Sequence, residues 1–243
     1  MAILAAGIAA GTINTVVGSG TLITFPTLLA FGYAPVVANV SNTIGLVPGA
    51  ISGAVGYRRE LQGQRRRAIM LGIGSTVGGV TGAVLLLELP ASAFKDIVPV
   101  FIAVALLLIV SQRRLEALVG HHRRAAHQGT PPAAVVGATL TGIYGGYFGA
   151  AQGIMLLALF TLTIDDDLQR LNAVKVVTAG LVNLVAGVVF VFAANVDWGV
   201  AGLIAGGSVL GGALGARYGR RLSPAALKVV IVIVGISAII RLL

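Results

Sequence analysis

The sequence has no cysteine, and only 10% of its 243 residues are charged. The missing cysteine excludes disulfides, thiol chemistry and cysteine-bound metals, but it leaves the cellular compartment open. The shortage of charge excludes an ordinary soluble domain, in which about 25% of residues are charged. Because 57% of the residues are hydrophobic and the mean hydropathy is +0.97, we expect an integral membrane protein with the lipid bilayer as a partner.

Long apolar segments fill most of the chain. They are continuous rather than alternating, which favours membrane-spanning α-helices over a β-barrel, because backbone groups in lipid must be hydrogen-bonded internally. The formal net charge of +9 comes from Lys and Arg in short loops, which is typical of the positive-inside bias, so no nucleic-acid partner is expected. The apolar segments lie at about 2–32, 35–57, 67–88, 92–111, 133–164, 172–194, 197–216 and 224–242.

The two halves of the chain resemble each other. The sequence "GIGSTVGGVTGA" (72–83) aligns with "AGGSVLGGALGA" (205–216), and "LPASAFK" (89–95) aligns with "LSPAALK" (222–228). Similarity in the same order along both halves indicates an internal duplication. The predicted organisation is a first transmembrane repeat at 1–111, a cytoplasmic linker at 112–131 and a second transmembrane repeat at 132–243.

The charges of matched loops indicate that the repeats are inverted. The loop 57–67 is basic, whereas its counterpart 194–200 has no Lys or Arg; the loop 88–96 is nearly neutral, whereas its counterpart 216–224 is basic. Since basic loops favour the cytoplasm, every matched loop changes side of the membrane. Inverted repeats of this kind are a common transporter plan.

Inversion requires each repeat to cross the membrane an odd number of times. The first segment of each repeat (2–32 and 133–164) is therefore predicted to be a re-entrant or sharply broken helical hairpin, followed by three transmembrane helices. This explains the small polar residues of "INTVVGSGTLITFP" (13–26). Met1 and Leu243 would both lie outside the cell. The alternative is a single broken span in each half, which contradicts the positive-inside bias in one of the two halves.

The broken helices suggest an anion site. Helices that begin after Gly18-Ser19-Gly20 and after Gly149-Ala150-Ala151 would point free N–H groups and the positive ends of their dipoles at the interior. The alternative is that the small and polar residues only satisfy the broken backbone or allow close helix packing. The candidate substrate-binding residues are Asn14, Thr15, Gly18, Ser19, Gly20, Thr21, Ser41, Asn42, Thr43, Tyr144, Tyr147, Gly149, Gln152, Gly153 and Lys175.

Lys175 occupies the position in the second repeat that Asn42 holds in the first. An ionisable residue inside a membrane span is a functional candidate, so Lys175 could attract an anion or carry a proton. Alternatively, it reaches the cytoplasmic surface or pairs with one of Asp165, Asp166 and Asp167. No cofactor, catalytic group or metal site is expected, because the apolar segments contain no cluster of His, Asp or Glu.

The stretch from Ala10 to Leu61 resembles the first repeat of the TauE/SafE sulfite exporter family. It has a residue such as Asn before a glycine-rich run, a proline, a "P..A..TN"-like element and the ending "YRREL". Ser19 interrupts the glycine run, and Ser41 stands where the family often has Thr. The second half resembles the family's weaker repeat through "GGYFGAAQGIMLLAL" and "LNAVKVVTAGLVN". The resemblance implies a secondary exporter of sulfite, sulfoacetate or related organosulfur anions.

The expected protein is thus an all-α, polytopic transporter of the cell inner membrane that exports a small oxyanion by alternating access. An anion channel and a carrier of small carboxylates are the alternatives, and an enzyme is not expected. Proton coupling stays open, as does the oligomeric state, for which a homodimer is one alternative.

Overall fold

The computed structural model describes residues 1–122 and 129–219, together with Val232, Ile233 and Ile236. Most of these residues are helical, and the described part of the chain contains no β-strand. The helices are α1 (Ala2–Val16), α2 (Thr21–Ala30), α3 (Pro35–Gly56), α4 (Arg65–Glu88), α5 (Ala91–His122), α6 (Pro132–Tyr147), α7 (Gln152–Thr163), α8 (Leu168–Ala193) and α9 (Trp198–Tyr218).

Four helices are long and apolar enough to cross a membrane: α4, the Ala91–Ser111 part of α5, α8 and α9. Helix α3 has 22 residues but is not among them, because Ser41, Asn42 and Thr43 lower its hydropathy. The apolar segment predicted at 92–111 agrees with the Ala91–Ser111 part of α5. The helix itself continues to His122 and so takes in the start of the predicted linker. The predicted span 224–242 lies largely outside the described residues.

Local signals explain several helix starts. Pro35 and Pro132 each occupy the first turn of a helix, where the N–H that proline lacks would have no partner. The Asp167 side chain accepts hydrogen bonds from the N–H groups of Gln169 and Arg170, and the Asp197 side chain accepts one from Val200. Such aspartate caps satisfy N–H groups that a helix start leaves free.

Glycines hold the helices of opposite halves unusually close. A Cβ atom added to Gly82 would lie 2.0 Å from the carbonyl oxygen of Ile143, and one added to Gly211 would lie 2.1 Å from that of Ile8. No side chain fits at either distance. The glycine-rich faces of α4 and α9 are therefore close-packing surfaces, as expected for helix pairs in lipid, and they attach each half to the first helix of the other.

The contacts between helices show their relative directions. Gly45 and Gly49 of α3 face Ile204 and Ser208 of α9, so these two helices run parallel. Gly7 and Gly11 of α1 face the same two residues of α9, so α1 is parallel to both. In the second half, α6 runs parallel to α4 by the same reasoning, since Gly74 faces Val135 and Gly82 faces Ile143.

Helices α3 and α8 are equivalent in the two halves, and they run antiparallel. Gly187 of α8 faces Ile44 of α3, whereas Gly180 faces Ala50. The most extensive helix contacts also have counterparts when the halves are exchanged: α1 with α9 corresponds to α6 with α4, and α3 with α9 to α8 with α4. These are the helix directions that inverted repeats require. Which end faces the cytoplasm stays a prediction.

The first two helices of each half form a hairpin. Helix α7 returns along α6, because Gln152 packs on Gly145 and Leu159 packs on Gly137. In the first half, Gly20 at the start of α2 packs on Ala10 and Asn14 of α1. Since α1 and α3 run parallel with α2 returning between them, the chain comes back to the end where it started before α3 begins.

Candidate functional site

The breaks of the two hairpins contact each other. We call residues 17–20, between α1 and α2, break 1, and residues 148–151, between α6 and α7, break 2. The N–H of Gly153, next to break 2, donates a hydrogen bond of 3.0 Å to the carbonyl oxygen of Gly18 in break 1. A Cβ atom on Gly18 would lie 2.4 Å from the Cα atom of Gly153. Gly18 and Gly153, which the sequence predicts to be near each other, therefore meet backbone to backbone.

The backbone reverses in the same way at both breaks. Gly18 and Gly149 have φ angles of +92° and +76°, a region that glycine adopts without steric cost. Each donates its N–H five residues back, to Ile13 and Tyr144 respectively, which closes the end of the preceding helix. Ala151 in break 2 has a φ of +60°, and this is a strained conformation for a residue with a Cβ atom.

The carbonyl ends of α1 and α6 are capped by the opposite half. The side-chain N–H groups of Asn172 and Asn39 donate to the carbonyl oxygens of Thr15 (3.4 Å) and Tyr147 (3.0 Å). Sequence reasoning missed both residues. Asn39 and Asn172 are the same number of residues apart as Asn42 and Lys175, so they are equivalent positions of the two halves. The internal duplication is therefore the signal from which both could have been predicted.

Lys175 binds break 1 through the backbone. Its Nζ atom donates to the carbonyl oxygens of Asn14 (3.3 Å) and Thr15 (3.2 Å), and the residue is fully buried. The negative end of the α1 dipole lies at these carbonyls and stabilises an ammonium group there. Lys175 therefore neither reaches the surface nor pairs with the nearby aspartates. Within the described chain, both ion pairs are made by Asp166, to Arg67 and Arg170.

Asn42, the counterpart of Lys175, binds the first turn of α2. Its amide nitrogen donates to the Thr21 hydroxyl at 3.2 Å, and its amide oxygen accepts from the Thr24 hydroxyl. Thr24 was not predicted. On the other side, the Tyr144 hydroxyl donates to the carbonyl oxygen of Ala150 at 2.5 Å, so it fixes break 2.

Five buried polar side-chain atoms on residues in or beside the breaks, or on residues that cap the helix ends there, have no hydrogen-bond partner among the described residues. Three can donate, namely the Ser19 hydroxyl, the Tyr147 hydroxyl and the Gln152 amide nitrogen, and two are the acceptor oxygens of the Asn39 and Asn172 amides. The backbone N–H groups of Ser19, Gly20 and Thr21 likewise have no described acceptor. Leaving a buried donor unpaired costs about 1–3 kcal/mol. A group of such donors at the contact between two helix breaks is suited to an acceptor-rich ligand.

Other predicted site residues have structural partners. The Thr15 and Thr43 hydroxyls donate to carbonyl oxygens of their own helices, at Gly11 and Asn39. The Ser41 hydroxyl accepts from the N–H of Asp197 at 3.0 Å and so joins α3 to the start of α9. The structure does not bring Ser41 into contact with either break.

A polar network joins the two halves at the basic end of the molecule. Asp166 binds Arg67 at 2.5 Å and Arg170 at 2.8 Å, while the side-chain amide of Gln64 donates to the Arg170 carbonyl at 3.0 Å. Partial burial raises the pKa of Asp166, but the hydrogen bonds from Arg67 and Asp167 and the charge of Arg170 outweigh it and lower the pKa below its ordinary value. The carboxylate is thus charged when it ties Arg67, in the first turn of α4, to Arg170, in the first turn of α8.

Three cavities lined by described residues lie away from the breaks. The first is lined by Arg58 and lies at the ends of α3 and α9. The second is lined by Arg65, and the third is lined by Arg66. None of these three is lined by a residue of break 1 or break 2. The contact between the breaks is closed in this conformation by the hydrogen bond from the Gly153 N–H to the Gly18 carbonyl oxygen.

The fold and the site define a class of protein. Helices long enough to span a membrane, paired hairpins with central breaks, and buried donors at their contact are the features of a multi-pass membrane transporter. A family model described as "Sulfite exporter TauE/SafE" matches residues 3–242. The chain belongs to this family, and it is a membrane transporter.

Curated relatives carry the same general description. The chain is 30% identical over 236 residues to "Probable membrane transporter protein ORF9" of Sinorhizobium sp., covering 96% of this chain and 88% of the relative. It is 26% identical over 214 residues to "Probable membrane transporter protein YfcA" of Escherichia coli K12, covering 88% and 76%. A "Probable membrane transporter protein" of Haemophilus influenzae is 28% identical over 213 residues, covering 87% and 81%. No solved structure matches the chain.

Proposed function

We propose that this transporter exports a small oxyanion, such as sulfite, sulfoacetate or another organosulfonate, by alternating access. The observation that carries the proposal is the pair of buried, unpartnered donors on Ser19 and Gln152, the neighbours of Gly18 and Gly153, together with the unpartnered Tyr147 hydroxyl on the last residue of α6. A sulfite or sulfonate group has three oxygen atoms that accept hydrogen bonds. Such a group would pair donors that otherwise stay buried without partners.

The charge of the site also favours an anion. Lys175 is buried against break 1, and no carboxylate forms an ion pair with it in the described part of the chain. The free N–H groups at the start of α2 belong to the positive end of that helix. Both features stabilise negative charge near break 1, and neither favours a cation.

The closed contact suggests how access could alternate. The Gly18 carbonyl oxygen accepts the hydrogen bond of the Gly153 N–H, at the N-terminal end of α7, where a bound anion would otherwise accept it. In the proposed cycle the hairpins move apart to admit the anion and close again afterwards. Export needs no nucleotide, because a monovalent anion leaving a negative-inside cell gains about 2.3 kcal/mol per 100 mV. We therefore propose no catalytic step, and anion export does not require coupling to the movement of protons.

Replacing Ser19 with alanine tests the site. We expect Ser19→Ala to weaken anion binding about tenfold, because a charge-assisted hydrogen bond contributes about 1.5–3 kcal/mol. Stability without the anion should not fall, because the hydroxyl has no partner to lose. Thermal-shift titrations of the purified protein with sulfite, sulfoacetate, taurine, sulfate and small carboxylates measure both quantities.

Ser75→Ala is the matched control. The Ser75 hydroxyl is also buried and unpartnered, but it lies on α4, away from the breaks. Anion affinity should be unchanged in this variant. Equal affinity in the wild type and in Ser19→Ala would contradict the proposed site. A preference for carboxylates would assign the carboxylate carrier instead, and flux in liposomes that does not saturate with substrate would assign a channel.

We also propose that the protein lies in the cell inner membrane with both termini outside and with 57–67 and 112–131 in the cytoplasm. The antiparallel directions of α3 and α8 support two inverted repeats. Single cysteines introduced at Gln62 and Asp197 should then react with an impermeant thiol reagent from opposite sides of oriented membranes. Labelling from the same side would contradict the inversion.

A further inference from the structure

An open groove lies between the ends of α3 and α9. It has a volume of about 950 Å³ and is lined by Ser52, Val55, Gly56, Arg58, Arg59, Glu60, Ala213, Ala216 and Arg217. The two helices run parallel and touch at the floor of the groove, where a Cβ atom on Gly56 would lie 2.3 Å from that of Ala216. The groove is therefore a cleft between two adjacent helix ends.

The mouth of the groove is basic. Arg58, Arg59 and Arg217 surround it with a single carboxylate, Glu60. All three arginines are exposed, and the two ion pairs of the described chain, both at Asp166, involve none of them. The groove thus offers several guanidinium groups to an anion, and guanidinium groups bind phosphate in a bidentate manner.

The surface next to the groove is apolar. Ile51 and Val55 of α3 are 58% and 57% exposed, and Leu210 of α9 is 56% exposed. The Ser52 hydroxyl donates to the Val209 carbonyl across the two helices, so it presents no free proton to the surface. Exposed apolar side chains along two helices of a membrane protein face lipid. The seam between α3 and α9 therefore continues from the basic mouth into a lipid-facing surface.

We propose that this groove binds the headgroup of an anionic phospholipid. The phosphate would lie among Arg58, Arg59 and Arg217, and one acyl chain would follow the seam of α3 and α9 beside Val55. Basic pockets between membrane helices on the cytoplasmic side have the chemistry that binds such headgroups. The site is separate from breaks 1 and 2, and the inference does not depend on which anion is transported.

The simpler explanation is that these arginines only orient the chain in the membrane, as basic loops do. Two double variants, each of which loses two positive charges, distinguish lipid binding from a general effect on orientation. Arg59→Gln/Arg217→Gln removes positive charge from the groove, whereas Arg65→Gln/Arg66→Gln removes the same charge from the exposed start of α4. If only the loss of positive charge mattered, lipid binding would change equally in both double variants.

The test is native mass spectrometry of the purified full chain titrated with phosphatidylglycerol or with phosphatidylcholine of the same acyl chains. The wild type is expected to bind one phosphatidylglycerol about tenfold more tightly than phosphatidylcholine. Arg59→Gln/Arg217→Gln should lose this preference, and Arg65→Gln/Arg66→Gln should keep it. The single variant Arg217→Gln gives the same comparison if the double variant does not fold.

Three outcomes would overturn the proposal. The wild type could show no preference for phosphatidylglycerol, or both double variants could lose the preference equally. The third is that inorganic phosphate binds to the groove arginines without any preference among lipids, which would assign a site for a soluble anion.

Discussion

Replacing Gly153 with alanine is expected to lower the transport rate about tenfold or more while helix α7 stays intact. The added Cβ atom would lie 2.5 Å from the Cα atom of Gly18 and 3.0 Å from the Gly18 carbonyl oxygen. Forcing extra volume into such a contact costs about 1–3 kcal/mol, and about 1.4 kcal/mol already corresponds to a factor of ten. Helix propensity works in the opposite direction, because alanine is favoured over glycine by about 1 kcal/mol.

Gly202→Ala is the matched control for this prediction. Gly202 also lies within a helix, α9, but a Cβ atom there would meet nothing within 4 Å. We expect this variant to transport normally and to melt at the same temperature or slightly higher. Uptake of radiolabelled anion into proteoliposomes, together with melting temperatures in detergent, measures both effects. Normal transport by Gly153→Ala would show that the breaks need not close on each other.

Replacing Lys175 with glutamine is expected to weaken anion binding about tenfold or more, because a buried charge acts strongly in a low-dielectric interior. Glutamine keeps an N–H donor for the carbonyl oxygens of Asn14 and Thr15, so the fold should be retained. The variant therefore separates the charge of the side chain from its hydrogen bonds. Isothermal titration with the anion that stabilises the wild type measures the loss.

Asn172→Ala provides the comparison for Lys175. Asn172 donates to the same carbonyl oxygen of Thr15, but it carries no charge. We expect this variant to lose about 1–2 kcal/mol of stability and to bind the anion nearly as well as the wild type. If Lys175→Gln instead kept full anion affinity, Lys175 would only cap the end of α1.

Much of the architecture is encoded locally. Long apolar segments allow only helices in a membrane, and their bounds follow from prolines, aspartate caps and glycines, as at Pro35, Asp167 and Gly18. The glycine-rich stretches of α4 and α9 predict close packing, which the contacts of Gly82 and Gly211 confirm. The apolar part of α5 is predicted correctly, whereas its polar extension to His122 is not evident from hydropathy, because polar residues continue a helix beyond the bilayer as readily as they form a loop.

The candidate site could be predicted only in part. The sequence indicates where the helices break, because glycine and small polar residues interrupt apolar runs there. It does not indicate which polar side chains stay free. The Asn42 side chain is bound by Thr21 and Thr24, while the neighbouring Ser41 accepts a hydrogen bond from Asp197 at the start of α9. Asn39 and Asn172 were missed because their partners are more than a hundred residues away.

Composition and internal similarity are enough to indicate a helical membrane protein made of two similar halves, because the hydropathy of each segment reflects the solvent around it. Which breaks meet, which polar groups are paired and which remain available follows from the packing of the helices. The physical reason is that a hydrogen bond depends on the position of two atoms within a few tenths of an ångström, and for residues far apart in the chain only the packing of whole helices sets that position.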